Sequence, residues 1–430
     1  MMKGSCIHFM NEKEKAIIVG IYLPFESRIK EEYSLEELQR LTETAGGEVL
    51  LAFTQQRDSV DRAWFLGKGK IEELSVLVKE LEPDVVIFNT ELSSSQIRNI
   101  ESMIDAKVID RTQLILDIFA GRAQSKEGKI QVELAQLNYL LPRLSGKGAG
   151  LSRLGGGIGT RGPGESKLET DRRHIRRRIT QMKRTLNEMI KHRDLHRERR
   201  KKNEVPQVAL VGYTNAGKST LLNQLTNAGV LAEDKLFATL DPISRKVMLE
   251  NGKEIILTDT VGFIQDLPHD LVAAFRSTLK EAAEADLLLH VVDAHHPYHT
   301  EQMAIVEKIL REIKAHTIPQ IVVYNKSDLL ESYNKDLGEN DEEIYISSFQ
   351  SDDLKRLLAL IEKNVSKYWK LHTFQIPVNR GDLLAYLHRN GKLIEDAEWD
   401  EESEKWRVNV ELDTQFISPE LRQYELVNAE

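Results

Sequence analysis

Residues 212–219 read Gly212-Tyr213-Thr214-Asn215-Ala216-Gly217-Lys218-Ser219, directly behind the apolar run Val208 to Val211 and ahead of the helical spacing of Leu221, Leu222 and Leu225. A strand, a glycine-punctuated turn ending in Lys-Ser and a helix together make a phosphate-binding P-loop. Its glycines let backbone N–H groups turn toward phosphate oxygens, and the N-terminus of the following helix adds positive potential. Lys218 is placed to bridge two phosphates, and the Ser219 hydroxyl, followed by Thr220, to bind Mg²⁺. This octapeptide also constrains the chain around it. Apolar runs at 255–257, 287–292, 321–323 and 344–346 alternate with helical stretches, so the region 204–370 reads as a doubly wound, mostly parallel α/β domain.

The base is chosen further on. Asn325-Lys326-Ser327-Asp328 follows the run 321–323 at the expected rim of the sheet. The Asp328 carboxylate accepts hydrogen bonds from the ring N–H and exocyclic amine of guanine, whereas adenine offers no donors there and leaves a desolvated carboxylate unpaired. Asn325 would contact the base and hold the P-loop, and the aliphatic stem of Lys326 would pack along the base plane. Between the two motifs stands Asp259-Thr260-Val261-Gly262. Here Asp259 reaches Mg²⁺ through water, and the Gly262 N–H meets the γ-phosphate. Within Phe237-Ala238-Thr239-Leu240-Asp241, Thr239 is the candidate to complete the Mg²⁺ shell, so that loss of the γ-phosphate releases both loops. Ser347-Ser348-Phe349, after 344–346, is the remaining candidate contact, presenting backbone N–H to the guanine carbonyl. The expected catalytic set is therefore Lys218, Thr239, Asp259 and Gly262, within a site that binds GTP or GDP with Mg²⁺. Phe263 stands where many small GTPases place the glutamine that orients the attacking water. Slow unassisted hydrolysis is expected, with a partner or another loop supplying what is missing; Gln265 and Asp266 are nearby without an assigned role.

At 430 residues the chain has room for two to four domains. The first hundred residues alternate strand-length runs (16–23, 49–53, 85–88) with helical periods (35–41, 71–81, 97–104), which suggests a small parallel α/β domain over 1–110. From about Arg111 a helical hairpin is expected, extending to 203. Ile130, Leu134, Leu137 and Leu141 form one apolar seam, with Pro142 at its end; Leu168, Ile175, Ile179, Met182, Leu186 and Met189 form the other. Between them, residues 146–164 contain nine of the chain's 25 glycines and read as a flexible loop. Residues 371–430, with 13 acidic and 6 basic side chains and Trp399 and Trp406 flanking an acidic stretch, read as a small acidic α+β domain.

Whole-chain charge is −9, yet 143–203 carries 19 Lys and Arg against 6 Asp and Glu. Arg172, Arg173, Arg176 and Arg177 on the second helix, with Arg153 and Arg161 in the loop, are the candidate RNA contacts, since phosphate backbone is the natural counter-charge and a basic loop on a rigid arm suits folded RNA. Phe65-Leu66-Gly67-Lys68-Gly69-Lys70 reads as a turn into a helix rather than a second nucleotide site. His295, His296 and His299 lie at a sheet rim without nearby acidic or cysteine ligands beyond Asp293. The lone Cys6 makes no internal disulfide. The longest apolar stretch, 285–294, is half a membrane span and is interrupted by Asp286, His290 and Asp293, so a cytoplasmic protein without membrane insertion is expected.

The order of these motifs, the run 125–137 (Ser-Lys-Glu-Gly-Lys-Ile-Gln-Val-Glu-Leu-Ala-Gln-Leu), the segment 155–165 (Gly-Gly-Gly-Ile-Gly-Thr-Arg-Gly-Pro-Gly-Glu), the 237–242 segment and Phe263 together resemble the HflX family of ribosome-associated GTPases over nearly the whole chain. The resemblance implies binding to the large ribosomal subunit, with the arm and glycine-rich loop near the peptidyl-transferase region, hydrolysis stimulated by the ribosome, and a role in rescue or splitting of stalled ribosomes under stress or in subunit assembly. Asn215 resembles the asparagine that helps bind K⁺ in some related GTPases. The free protein is expected to be a monomer. The competing reading is a signalling adaptor whose coiled coil binds a protein and whose GTPase times that contact.

Overall fold

The computed structural model describes residues 13–23, 28–144, 163–201, 205–226, 236–265, 281–330, 340–366, 369–395, 397–400, 404–413 and 417–426. The N-terminal sheet has the order β2-β1-β3-β4 and is parallel throughout, with β1 at Lys15–Tyr22, β2 at Glu48–Gln56, β3 at Val85–Phe88 and β4 at Lys107–Asp110. Its strands are apolar on both faces because helices cover both. Ile17 and Val19 face Ile71, Leu74 and Val78 of α2 (Lys68–Leu81) and Ile100 of α3 (Ser94–Glu101). Ile18, one residue out of phase, faces Leu35, Leu38 and Leu41 of α1 (Arg28–Thr44).

On that second face also lies α4 (Arg111–Arg122), whose Leu114, Ile115, Ile118 and Phe119 are buried with Ile18, Ile87 and Ile109. Asp110 caps it, accepting from Gln113 N at 2.9 Å. The expected boundary at 110/111 is therefore corrected: α4 packs as part of the N-terminal unit, and the hairpin begins with α5 (Lys126–Arg143). Pro142 lies in the last turn of α5, at the expected end of that helix. The other arm is α6 (Pro163–Lys201), with proline at the first helical position. Ile130, Leu134, Leu137 and Leu141 meet Ile175, Ile179, Met182 and Leu186, the two seams the sequence predicts. The glycine-rich segment up to 162, with Arg153 and Arg161, lies outside the described residues.

The second sheet has the order β10-β9-β8-β5-β7-β6. Strands β5 (Gln207–Gly212), β7 (Glu254–Asp259), β8 (Leu287–Asp293), β9 (Gln320–Asn325) and β10 (Glu343–Tyr345) are parallel; β6 (Ile243–Met248) runs antiparallel at the edge against β7. Helices α7 (Lys218–Thr226), α8 (His299–Glu312) and α9 (Ser351–Ser366) belong to this domain. The last domain is an antiparallel sheet of β11 (Trp369–Pro377), β12 (Lys392–Leu393), β13 (Glu398–Asp400), β14 (Lys405–Asp413) and β15 (Glu425–Leu426). Its core joins Phe374, Ile376, Val408 and Val410 to Leu383 and Leu387 of α10 (Gly381–Asn390), and Trp399 lies opposite Trp406 in the β13–β14 pair. The sheet begins two residues before the expected start at 371, because Trp369 already pairs with Asp413.

The N-terminal unit and the second domain are not separate bodies. Ile115, Phe119, Val132 and Tyr139 share one continuous apolar cluster with Val211, Phe237, Phe263, Leu288 and Val306.

Candidate functional site

Strand β5 ends in Gly212, whose backbone approaches β8 so closely that a Cβ would lie 2.2 Å from the Val291 carbonyl oxygen. The chain then turns through Asn215 (φ +62°) and Gly217 (φ +95°) into α7. A side chain at Gly217 would meet the Asn325 amide at 2.2 Å, so the glycine is required both by its backbone conformation and by this neighbour. Asn325, 2% exposed at the end of β9, is a strut between two loops. Its Nδ2 donates to Ala216 O at 3.0 Å, and its Oδ1 accepts from Ser348 N at 3.1 Å and Ser348 Oγ at 2.8 Å.

Lys218 folds back over the loop and donates to Gly212 O at 3.1 Å and Tyr213 O at 2.7 Å. Burial pushes its ammonium down to about 8, against the opposing pull of the Asp259 carboxylate. Three oxygens converge beside it: Ser219 Oγ lies 2.8 Å from Thr239 Oγ1 and donates to Asp259 Oδ2 at 2.6 Å. Asp259 is fully buried at the end of β7, and burial raises its carboxyl, with Lys218 and the Ser219 hydroxyl opposing. Its Oδ1 has no hydrogen-bond partner, nor does the buried Thr214 Oγ1. A buried carboxylate oxygen without a donor, next to two hydroxyls, is a donor set that fits a hard divalent cation such as Mg²⁺.

Lys218, Ser219 and Thr239 line one concavity with Thr214, Asn215, Gly217, Thr220, Phe237, Ala238, Thr260 and Gly262. Gly262 sits under the P-loop, where a Cβ would lie 2.8 Å from Thr214 Cγ2 and 3.2 Å from Lys218 Nζ. The two loops are tied by Thr214 N donating to Phe263 O at 2.8 Å and Phe263 N to Gly212 O at 3.1 Å. Thr260 and Val261 support this wall from within: Thr260 Oγ1 donates to Leu210 O at 2.6 Å, and Val261 joins the apolar cluster. On the base side, Lys326 (φ +61°) donates to Asp293 Oδ2 at 2.6 Å, and Ser327 N to Ile346 O at 3.1 Å, while the Asp328 side chain is exposed at the rim.

Several of the expected nucleotide contacts also make contacts outside the concavity. The Tyr213 hydroxyl turns away from the loop to Glu37 of α1, and Phe237 is buried edge-on against Phe119 with centroids 4.6 Å apart. Leu240 enters the apolar cluster. Asp241 accepts from the backbone at the start of α5. Of 237–241, Phe237, Ala238 and Thr239 line the concavity. Neither Ser347 nor Ser348 offers a spare backbone N–H, since Ser347 N donates to Asp353 Oδ2 at 2.8 Å and Ser348 N to Asn325. Phe349 stands 76% exposed beside them.

Phe263, only 1% exposed, is buried in the interdomain cluster. Gln265 is held through its backbone, its N–H donating to Tyr213 Oη at 2.8 Å and its carbonyl accepting from Arg111 at 3.3 Å; Asp266 lies outside the described residues. Sequence spacing misses the group behind this arrangement, a buried network of Glu37, Arg111 and Tyr213. His296, of the histidine cluster, packs edge-on against Tyr33 at 5.2 Å, and its Nδ1 accepts from Tyr298 N at 3.2 Å. On the hairpin, Arg173, Arg176 and Arg177 are exposed and Arg172 is half-buried; the neighbouring Arg178 pairs with Glu133 at 2.9 Å.

Three family models match in series: GTP-binding GTPase N-terminal over residues 32–120, GTP-binding GTPase Middle Region over 122–200, and 50S ribosome-binding GTPase over 207–326. Among curated relatives, GTPase HflX of Caldanaerobacter subterraneus subsp. tengcongensis is 53% identical over 394 residues, covering 91% of this chain and 90% of its own. GTPase HflX of Escherichia coli is 43% identical over 393 residues, covering 90% and 91%. Among solved structures, a GTP-binding protein from the hyperthermophilic archaeon Sulfolobus solfataricus in complex with GDP is 26% identical, with 82% of this chain and 99% of that one covered and a TM-score of 0.44.

Proposed function

The chain belongs to the GTPase HflX family and hydrolyses GTP, and from that premise we propose how its residues serve that reaction and where it takes place. It is a ribosome-associated GTPase, acting at the large subunit in rescue or splitting of stalled ribosomes or in subunit assembly. The observation that carries the nucleotide assignment is the convergence of Ser219, Thr239 and Asp259 beside Lys218.

Ser219 and Thr239 would hold Mg²⁺ through their hydroxyls, with Asp259 supporting the ion through water. Bound there, Mg²⁺ would supply positive charge against the phosphate oxygens. Lys218 exchanges its loop carbonyls for those oxygens, Gly262 offers its N–H to the γ-phosphate, and Asp328 selects guanine at the rim. Asn215 is the candidate K⁺ contact, tested by comparing hydrolysis in K⁺ and in Na⁺. Phe263, at the position where many small GTPases carry the water-orienting glutamine, is buried, which accords with slow hydrolysis until a partner completes the site.

The exposed Arg173, Arg176 and Arg177 on α6 supply charge for ribosomal RNA. The test is GTP hydrolysis with and without purified large subunits, with co-sedimentation in parallel, for wild type, a variant lacking residues 146–164 and the double variant R173E/R177E. Stimulation and co-sedimentation by wild type, both reduced in the variants and both declining with salt, support the reading. A rate indifferent to large subunits overturns it.

A further inference from the structure

The five residues from Phe237 to Asp241 face two ways. Thr239 Oγ1 lies 2.8 Å from Ser219 Oγ in the phosphate site. Two residues on, Asp241 Oδ2 accepts from Gln124 N at 2.9 Å and Ser125 N at 2.8 Å, and Asp241 Oδ1 accepts from the Ser125 hydroxyl. Ser125 is the N-cap of α5, its Oγ also accepting from Gly128 N at 2.8 Å. A carboxylate at this position is favoured by the unpaired N–H groups and the dipole of the helix. The fit is close on the helix side as well, since a Cβ on Gly128 would lie 2.5 Å from Asp241 Oδ1.

Consecutive Cα atoms are 3.8 Å apart, so Thr239 and Asp241 are separated by no more than about 7 Å of chain. Leu240 between them is 3% exposed in the interdomain cluster, leaving little slack to absorb a movement. A displacement of Thr239 would therefore be felt at Asp241 and at the first turn of the hairpin.

We propose that Asp241 is a positioning residue that links the phosphate-side hydroxyl of Thr239 to the base of the α5–α6 hairpin, so that the bound nucleotide sets how firmly the hairpin is docked. By reciprocity, a ligand that shifts the hairpin shifts affinity for the triphosphate by the same factor. The proposal rests on the assignment of Thr239 to Mg²⁺.

The experiment is amide hydrogen exchange over residues 124–128 of the full chain, with Mg²⁺ and either GDP or a non-hydrolysable GTP analogue. In wild type the analogue should slow exchange about tenfold relative to GDP, the scale expected for hydrogen bonds to a charged acceptor. D241N and S125A should reduce that difference to less than about twofold, and T239A should do the same. Loss in D241N with retention in T239A would place the failure in the Mg²⁺ assignment. Retention of the full difference in D241N, or none in wild type, overturns the link itself. S125A, which touches nothing in the phosphate site, supplies the second readout: an unchanged basal GTPase rate with a stimulated-to-basal ratio on large subunits at least about threefold lower. An unchanged ratio contradicts the proposal.

Discussion

Tyr213 donates its phenolic O–H to Glu37 Oε1 at 2.5 Å, joining the second residue of the P-loop to the first helix of the N-terminal unit. Glu37 is also ion-paired with Arg111, and both are 3% exposed. Arg111 in turn donates to Asn89 Oδ1 at 3.1 Å and to the Gln265 carbonyl. The start of the segment after Gly262 is thus held through the Gln265 backbone from two sides, by Tyr213 of the P-loop at its N–H and by Arg111 of the N-terminal unit at its carbonyl.

Breaking the pair from one side should cost more than removing both members. E37A strands a buried guanidinium and should lose about 3–5 kcal/mol, whereas E37L/R111M should recover much of that. Y213F, which removes one hydroxyl from the network, should lose about 1–2 kcal/mol. Urea unfolding of the three variants ranks them.

G217A should fold yet bind GDP at least about tenfold more weakly, because the new methyl meets Asn325 and the backbone at φ +95° disfavours a side chain. Titration calorimetry with GDP checks this; wild-type affinity would show that the loop rearranges around the methyl.

D328N replaces a two-acceptor carboxylate with an amide that opposes a donor to the guanine amine. Affinity for GDP should fall by about 10³-fold or more, while xanthosine diphosphate, which carries a carbonyl at that position, should bind better than it does to wild type. Competition between the two nucleotides reads the switch directly.

His290, in the middle of β8, is held neutral by burial, which pushes its imidazole down from 6.5 to about 4. The unfolded chain therefore takes up this proton first. Stability is fully held above about 6.5 and declines as pH falls toward 4, by about 1.4 kcal/mol per pH unit. Unfolding of wild type and H290L between pH 7.5 and 4.5 isolates the contribution, since H290L should show a shallower slope over that window.

What the sequence reveals depends on whether a residue acts through near neighbours. The P-loop, the Asn325 strut and both hairpin seams are legible because fixed spacing places their partners. Strand β6 is not, because an edge strand with one side in solvent alternates only weakly: Arg245 and Lys246 are exposed and Val247 buried. Helix α4 reads as the start of the hairpin because its apolar residues occur on several faces; what assigns it to the N-terminal unit is burial against a sheet whose first strand lies a hundred residues earlier. Asp241 is read as a nucleotide contact because it belongs to the same short motif as Thr239, although adjacent parts of that segment turn to different domains. Glu37 and Tyr213 lie 176 residues apart, and no local pattern announces such a pair.

The apolar cluster that runs from Ile18 and Leu38 through Phe119 and Tyr139 to Val211, Phe263 and Val306 joins both units in one set of buried side chains among the described residues. Excising residues from 204 onward would bring Phe237, Phe263 and one face of the nucleotide-binding sheet into water, so the isolated fragment should be a sticky, aggregation-prone species rather than a minimal enzyme. Heat should accordingly melt the first 330 residues in a single transition, and a proteolytic nick between the two sheets should leave the halves together until denaturant separates them.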